Sequence, residues 1–246
     1  MIKAENISFR YDKKKAQVLR NVSIKVQPGY LTVVLGHNGG GKSTLFKLLY
    51  GELVPEEGKI WTDYSAKTGD GRDKEDKPDF SMVQTMRQKV AFVSADSPLF
   101  ESFDVTENVE LFKALYPDFD EAEFKKLLEY FMLDLKPGKY FKELSTGEYM
   151  KLRIAFALAR KPEIIIMDEP FANLDPVVKT DIMELLHERI TGENLGVLVS
   201  THLLEEINDR ADYIYVLENG RITKSGDRES LFDKEGTDSL RRLLNH

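Results

Sequence analysis

Leu31-Thr-Val-Val-Leu35 runs without a break into Gly36-His37-Asn38-Gly39-Gly40-Gly41-Lys42-Ser43-Thr44, and then into the helical pattern LFKLLYG that stops at Gly51. The first five residues read as a short strand buried on both faces. Gly36 to Ser43 match G-x-x-x-x-G-K-[ST] between a strand and a helix, the context that identifies a phosphate-binding loop. The glycines let successive backbone N–H groups turn toward one point, and the helix N-terminus adds partial positive charge for an anion. Lys42 supplies a point charge between two phosphates, and the Ser43 hydroxyl is placed for Mg²⁺.

Farther along the chain, Ile164-Ile-Ile-Met167 is a second all-apolar strand, and it ends in Asp168-Glu169-Pro170. An acid at the carboxyl end of a strand neighbouring a phosphate loop holds magnesium through its water shell, which makes Asp168 the metal candidate. Glu169, one residue on, is positioned to polarise a water as general base. No N-K-x-D guanine reader occurs anywhere, which favours adenine. Tyr11, closing the strand pattern Ile7-Ser-Phe9-Arg-Tyr11, either offers its ring to adenine or is an edge aromatic of that strand.

Further short β-type runs occur at Ile2 to Phe9, Val18 to Val26, Val197 to Ser200 and Tyr213 to Leu217. Asn219-Gly220 then predicts a tight hairpin into Arg221 to Lys224. From Val105 to Arg160 the pattern is helical, with Asp120-x-x-Glu123 and Ser145-x-x-Glu148 reading as capping boxes. The fold class is therefore α/β: a mixed sheet with helices on both faces, an antiparallel β subdomain and an inserted helical subdomain. Residues 1–246 read as one ATPase domain, with a core over about 1–95 and 162–226, helices over about 96–161 and a tail over 227–246. In that tail Leu231, Leu240, Leu243 and Leu244 fall on the apolar faces of two short helices expected to pack on their own domain. The stretch from Trp61 to Lys89, with KTGDGRDKEDKPD inside it, reads as a polar mobile surface loop.

Composition narrows the function. With 35 Lys+Arg against 42 Asp+Glu, a net charge of −7 leaves no basic footprint for nucleic acid, which is not expected as a partner. The absence of cysteine removes disulfides, thiolate metal sites and a cysteine nucleophile, and makes the cytoplasm the expected compartment. Lys3, Glu5 and Arg10 interrupt any apolar h-region at the N-terminus, and no apolar run approaches the length of a membrane span.

Together with the phosphate loop and the acidic strand end, Leu144-Ser145-Thr146-Gly147-Glu148, Asn173-Leu-Asp175 and Ser200-Thr-His202 occur in an order that resembles the nucleotide-binding subunit of ATP-binding cassette transporters. LSTGE and the segment SPLFESFDVTENVELFKALYPDFD look most like subunits of ABC-2-type bacterial exporters. The resemblance implies ATP and Mg²⁺ as cofactors, with Tyr11 on adenine, Gly36 to Thr44 around the phosphates, Ser43 and Asp168 on magnesium and Glu169 as catalytic base. It implies that Leu144, Ser145, Thr146, Gly147 and Glu148 meet the γ-phosphate of a nucleotide held by another protomer. Read by itself, Ser145 caps a helix start and makes an anion-binding point, or simply a good cap.

Two chains would then sandwich two ATP molecules head to tail. Asp175 would lie at their interface, or act as a plain cap before Pro176, and His202 would reach the γ-phosphate as the switch. A transmembrane permease subunit and a second ATPase subunit are the implied partners, with the protein on the inner face of the membrane. Asp96 to Tyr116 and the adjoining helices would carry the permease contact. Where the family has glutamine after a strand, this sequence has Ala95, which cannot ligate metal, and then Asp96, which could act through a magnesium-bound water. The alternatives are a soluble cassette ATPase that remodels a cytoplasmic complex, and a small-molecule kinase, for which LSTGE and STH would be coincidence.

Overall fold

A computed structural model describes residues 1–62, 86–94, 102–135, 138, 140–201 and 207–244. Nine strands form two sheets among these residues. Strands β1 (Ile2–Phe9), β2 (Leu19–Val26) and β4 (Glu57–Thr62) make an antiparallel sheet in the order β2-β1-β4. The other six are β3 (Leu31–Leu35), β5 (Val90–Val93), β6 (Ile164–Asp168), β7 (Gly196–Ser200), β8 (Tyr213–Glu218) and β9 (Arg221–Asp227). They are ordered β5-β6-β7-β3-β8-β9, parallel throughout except for the β8–β9 hairpin. Asn219 and Gly220 in that hairpin both have positive φ (49° and 76°), as a two-residue turn matched to strand twist requires.

The all-apolar strands serve two cores because side chains alternate across a sheet. Leu31, Val33 and Leu35 of β3, with Ile165 and Met167 of β6, face the helical layer. Val34, Ile164 and Ile166 face the other way, toward the antiparallel sheet and helix α1 (Lys42–Leu49).

The helical layer consists of α2 (Val105–Leu115), α3 (Glu121–Tyr130) and α4 (Thr146–Leu158), followed in the chain by α5 (Pro176–Glu193). Phe112 of α2 and Phe124 of α3 both pack on Phe156 of α4, with ring centroids 4.6 and 4.4 Å apart, which ties the three helices together. The tail forms α6 (Arg228–Glu235) and α7 (Leu240–Leu243), and it buries Leu231, Leu240 and Leu243 in the same core with Leu244 packed against them.

Several local expectations change. β1 ends at Phe9, so Tyr11 lies beyond the strand rather than closing it. Asp120 caps α3 by accepting from the N–H groups of Ala122 and Glu123, but the box is not reciprocal, because Glu123 turns to Arg189 of α5 at 2.5 Å. A full capping box forms instead at Asp104 and Glu107, before α2. Of the polar loop, Thr62 ends β4 and 86–89 make a helical turn with Met86 buried; the remainder, 63–85, lies outside the described residues.

The Asp120 cap has a pH signature. Its hydrogen bond to Lys161, then that from the Glu123 N–H, lower its pKa from 3.8 to about 2. A depressed carboxylate contributes stability that is present above its unfolded value and lost as pH falls through the folded one. Thermal melts between pH 5 and 2 should therefore show a fall in stability across that window that is reduced in Asp120→Asn; parallel curves would contradict the assignment.

Candidate functional site

The parallel register sets the site. Val34 of β3 and Asp168 of β6 both pair with Ser200 of β7, so three strand ends reach one edge of the sheet together. Ligands of open α/β sheets bind at the carboxyl ends of strands, and the phosphate loop leaves β3 at this edge. Gly36 has φ 156°, and a Cβ there would lie 2.2 Å from the Leu217 carbonyl oxygen of β8. Only a glycine passes so close to that backbone.

Gly40 N–H closes a turn onto the His37 carbonyl at 3.1 Å. His37, Asn38 and Gly39 form the exposed rim, and Gly41 caps α1 without any side-chain hydrogen bond. The amides of the first α1 turn are thus not engaged by a capping side chain, the arrangement that favours an anion at a helix start. Ser43 is exposed in that turn. Buried Thr44 shares a hydrogen bond with the Tyr11 hydroxyl at 3.1 Å. Tyr11 packs edge-on against Phe9 and is 59% exposed, so its ring is held beside the loop with much of its surface facing outward.

Lys42 is 5% exposed, and its ammonium donates to the carbonyl oxygens of Gly36 at 2.8 Å and His37 at 3.3 Å. It also forms an ion pair with Glu169 Oε1 at 3.2 Å. The loop cation and the acidic strand end therefore meet directly. Ser200, not identified as a site residue from sequence beyond its place in STH, joins the acids: its hydroxyl donates to Asp168 Oδ1 at 2.5 Å and accepts from the Glu169 N–H at 2.9 Å. Glu169 has φ 49°, a left-handed conformation in which this amide bond supports the turn after β6.

These residues suit a magnesium nucleotide. Mg²⁺ takes one or two protein oxygens together with phosphates rather than an all-protein cage. Ser43 and Asp168 offer that limited set, and no cluster of three or more His, Cys, Asp or Glu able to hold a metal occurs among the described residues.

The LSTGE pentapeptide forms a separate feature at the start of α4. Ser145 Oγ accepts from the Glu148 N–H at 3.2 Å, and Glu148 Oε2 accepts from the Ser145 N–H and hydroxyl, each at 2.8 Å. Leu144 packs against the core, Thr146 is exposed, and Gly147 sits under Val178 of α5, where a Cβ would lie 3.0 Å from Val178 Cγ2. Val178 N–H in turn donates to the capping carboxylate of Asp175 at 3.0 Å, with Pro176 at the first helical position. The pentapeptide and Asp175 thus flank one helix–helix contact, beside Val177, which is 69% exposed. His202, Ala95 and Asp96 lie outside the described residues.

The family described as ABC transporter matches residues 19–172. The energy-coupling factor transporter ATP-binding protein EcfA2 of Streptococcus agalactiae is 33% identical over 243 residues, covering 95% of this chain and 83% of its own. Among solved structures, an ATP-binding subunit of an ABC transporter superposes with TM-score 0.82 at 27% identity, covering 99% of this chain and 97% of that one. A dimeric ATP-binding cassette in a post-hydrolysis state with ADP and phosphate superposes with TM-score 0.77 at 26% identity, covering 93% and 99%. No helix among the described residues is long and apolar enough to cross a membrane. The chain belongs to the ABC transporter family, as an ATP-hydrolysing subunit that uses ATP and Mg²⁺.

Proposed function

We propose that this chain closes head to tail with a second cassette around two MgATP and passes that closure to a separate membrane subunit. Gly36 to Thr44 grip the phosphates, Tyr11 lies on adenine, and Ser43 and Asp168 hold the metal, Asp168 through water. Glu169 takes a proton from the attacking water, and His202 contacts the γ-phosphate. Leu144 to Glu148 reach the γ-phosphate of the opposite protomer, with Asp175 coupling the two sites. Bound Mg²⁺ neutralises phosphate charge; the chain's own residues position the nucleotide and exclude water, and positioning and charge stabilisation are most of what phosphoryl transfer needs.

The observation that carries this reading is the direct meeting of Lys42 with Glu169, braced through Ser200, at the sheet edge where the phosphate loop begins. Dimerisation is supported by the exposed Ser145 cap, Asp175 and Val177, which lie around the Gly147–Val178 contact on an outward surface.

For the transporter class, the relative at 33% identity favours an energy-coupling factor type of assembly, while LSTGE favours an ABC-2-type exporter. The likeness over 95% of the chain outweighs a pentapeptide, and the energy-coupling type is the first reading. Sedimentation of the purified chain with Mg²⁺ and a non-hydrolysable ATP analogue tests the core of the proposal. The expected result is a doubling of mass that is lost in Ser145→Arg; a species that stays monomeric at every nucleotide concentration overturns it. The membrane protein recovered with the tagged chain then identifies the transporter class.

A further inference from the structure

The connection between β1 and β2, residues 10–17, carries four cations and one anion in a chain whose net charge is −7. Both of its ends are fixed on the phosphate loop. At one end the Tyr11 hydroxyl shares its hydrogen bond with Thr44 at 3.1 Å. At the other, the Val18 N–H donates to the Phe9 carbonyl at 2.8 Å and closes the connection, and the Val18 carbonyl oxygen lies 3.3 Å from where a Cβ on Gly41 would be. Between these anchors the chain turns tightly on Asp12, whose carboxylate accepts from the Lys14 N–H and whose carbonyl accepts from the Lys15 N–H, both at 2.9 Å. Lys13, Lys14 and Lys15 are all exposed on this turn.

None of the three lysines has a carboxylate partner among the described residues, whereas the remaining cation of the connection, Arg10, pairs with Glu56 at 2.8 Å. The phosphate cradle itself offers little to a distant anion. Lys42 is buried and paired with Glu169, and Asp168 adds a second carboxylate at the same strand end. The partial charge of the α1 start falls off within its first turn. Before nucleotide arrives, the cradle is therefore not a cationic target at long range, and the chain as a whole repels anions.

We propose that the Lys13–Lys15 turn is a capture surface for the polyphosphate anion of MgATP. It draws the nucleotide to the mouth of the site by long-range attraction and passes it to the cradle, with no contact once the nucleotide is seated. The inference rests on the reading above in which Tyr11 and residues 36–44 hold one nucleotide. The lysines follow Tyr11 by two to four residues, and four extended residues span at most about 14 Å. That reach lies within the screening length of about 30 Å at 0.01 M salt and exceeds the length of about 8 Å at 0.15 M. Lysine suits such a role: its ammonium is a hydrated point charge on a flexible stem, able to attract an anion without fixing its geometry.

Stopped-flow association of a ribose-labelled fluorescent ATP analogue, with Mg²⁺ and the full-length chain, tests the proposal at salt from about 0.01 to 0.3 M. Lys13→Gln, Lys14→Gln and Lys15→Gln together should lower the association rate constant about tenfold at the lowest salt, and less than about twofold at the highest. The dissociation rate constant should match wild type. Lys13→Arg, Lys14→Arg and Lys15→Arg together should keep the wild-type rate and salt slope, because charge rather than shape acts at this range.

An unchanged association rate and salt slope in the glutamine variant would overturn the capture role. So would a change confined to dissociation, the mark of a contact in the bound state, or an equal loss in the arginine variant, the mark of a structural role. Sedimentation with phosphatidylserine vesicles that is lost in the glutamine variant, with nucleotide association unchanged, would overturn it in favour of a lipid surface. If the wild-type chain binds no analogue at all, the nucleotide reading itself fails, a result seen before any lysine is changed.

Discussion

Glu169→Gln should bind MgATP and form the closed dimer yet turn over about 10²–10⁴ times more slowly than wild type, the usual range for removing a general base. Glutamine keeps the size of the side chain and leaves the backbone amide on Ser200, which holds the turn at φ 49°. The substitution takes away the anionic oxygen that can accept a proton from water. It also removes the carboxylate that pairs with Lys42 at 3.2 Å, so the ammonium is no longer shared with a competing anion when the triphosphate arrives. Nucleotide affinity should accordingly be maintained or increased. Steady-state phosphate release measured beside equilibrium binding of labelled ATP separates the two effects, and turnover close to wild type would remove Glu169 from the role of base.

Lys42→Ala should have the opposite profile, losing the nucleotide before any chemistry. The ammonium is almost fully buried and gathers two loop carbonyls and one carboxylate around itself. Truncating one member of a buried, hydrogen-bonded charge contact typically costs about 2–5 kcal/mol. Affinity for MgATP is therefore expected to fall by at least about a hundredfold, equivalent to ~2.7 kcal/mol. Fluorescence titration with a nucleotide analogue gives the affinity, and a melting curve on the same sample separates loss of binding from loss of fold. Unchanged affinity in a folded variant would contradict the cradle.

Much of the site was legible because it is local. The glycine-lysine spacing of the phosphate loop, the acids that end an apolar run and the Ser145–Glu148 box involve neighbours within a few residues, where backbone geometry restricts which groups can meet. Local spacing misleads where a longer-range partner competes. Glu123 had the spacing to close a box with Asp120, but the Arg189 guanidinium is a stronger partner for a carboxylate than a backbone amide. Asp104 and Glu107 have the same chemistry and spacing as Ser145 and Glu148, so the signal is present in the sequence there too. Tyr11 fits a period-two strand, but β1 ends at Phe9 and the tyrosine turns its hydroxyl to Thr44 of α1.

The order of residues alone dictates the chemistry available: a phosphate loop, an acidic pair after a buried strand, a capped helix start, and alternating apolar strands that require cover on both faces. Which of these groups meet is a matter of how the sheet and helices pack. Asp168 and Ser200 are neighbours because β6 and β7 pair in parallel register, and Lys42 reaches Glu169 because β3 lies on the other side of β7. Likewise, Lys13 to Lys15 come beside the phosphate loop only once Val18 has packed against Gly41 and Tyr11 has met Thr44. Short-range geometry follows from φ, ψ and residue spacing, whereas strand order and register follow from the cooperative burial of whole surfaces, which no short stretch of chain encodes.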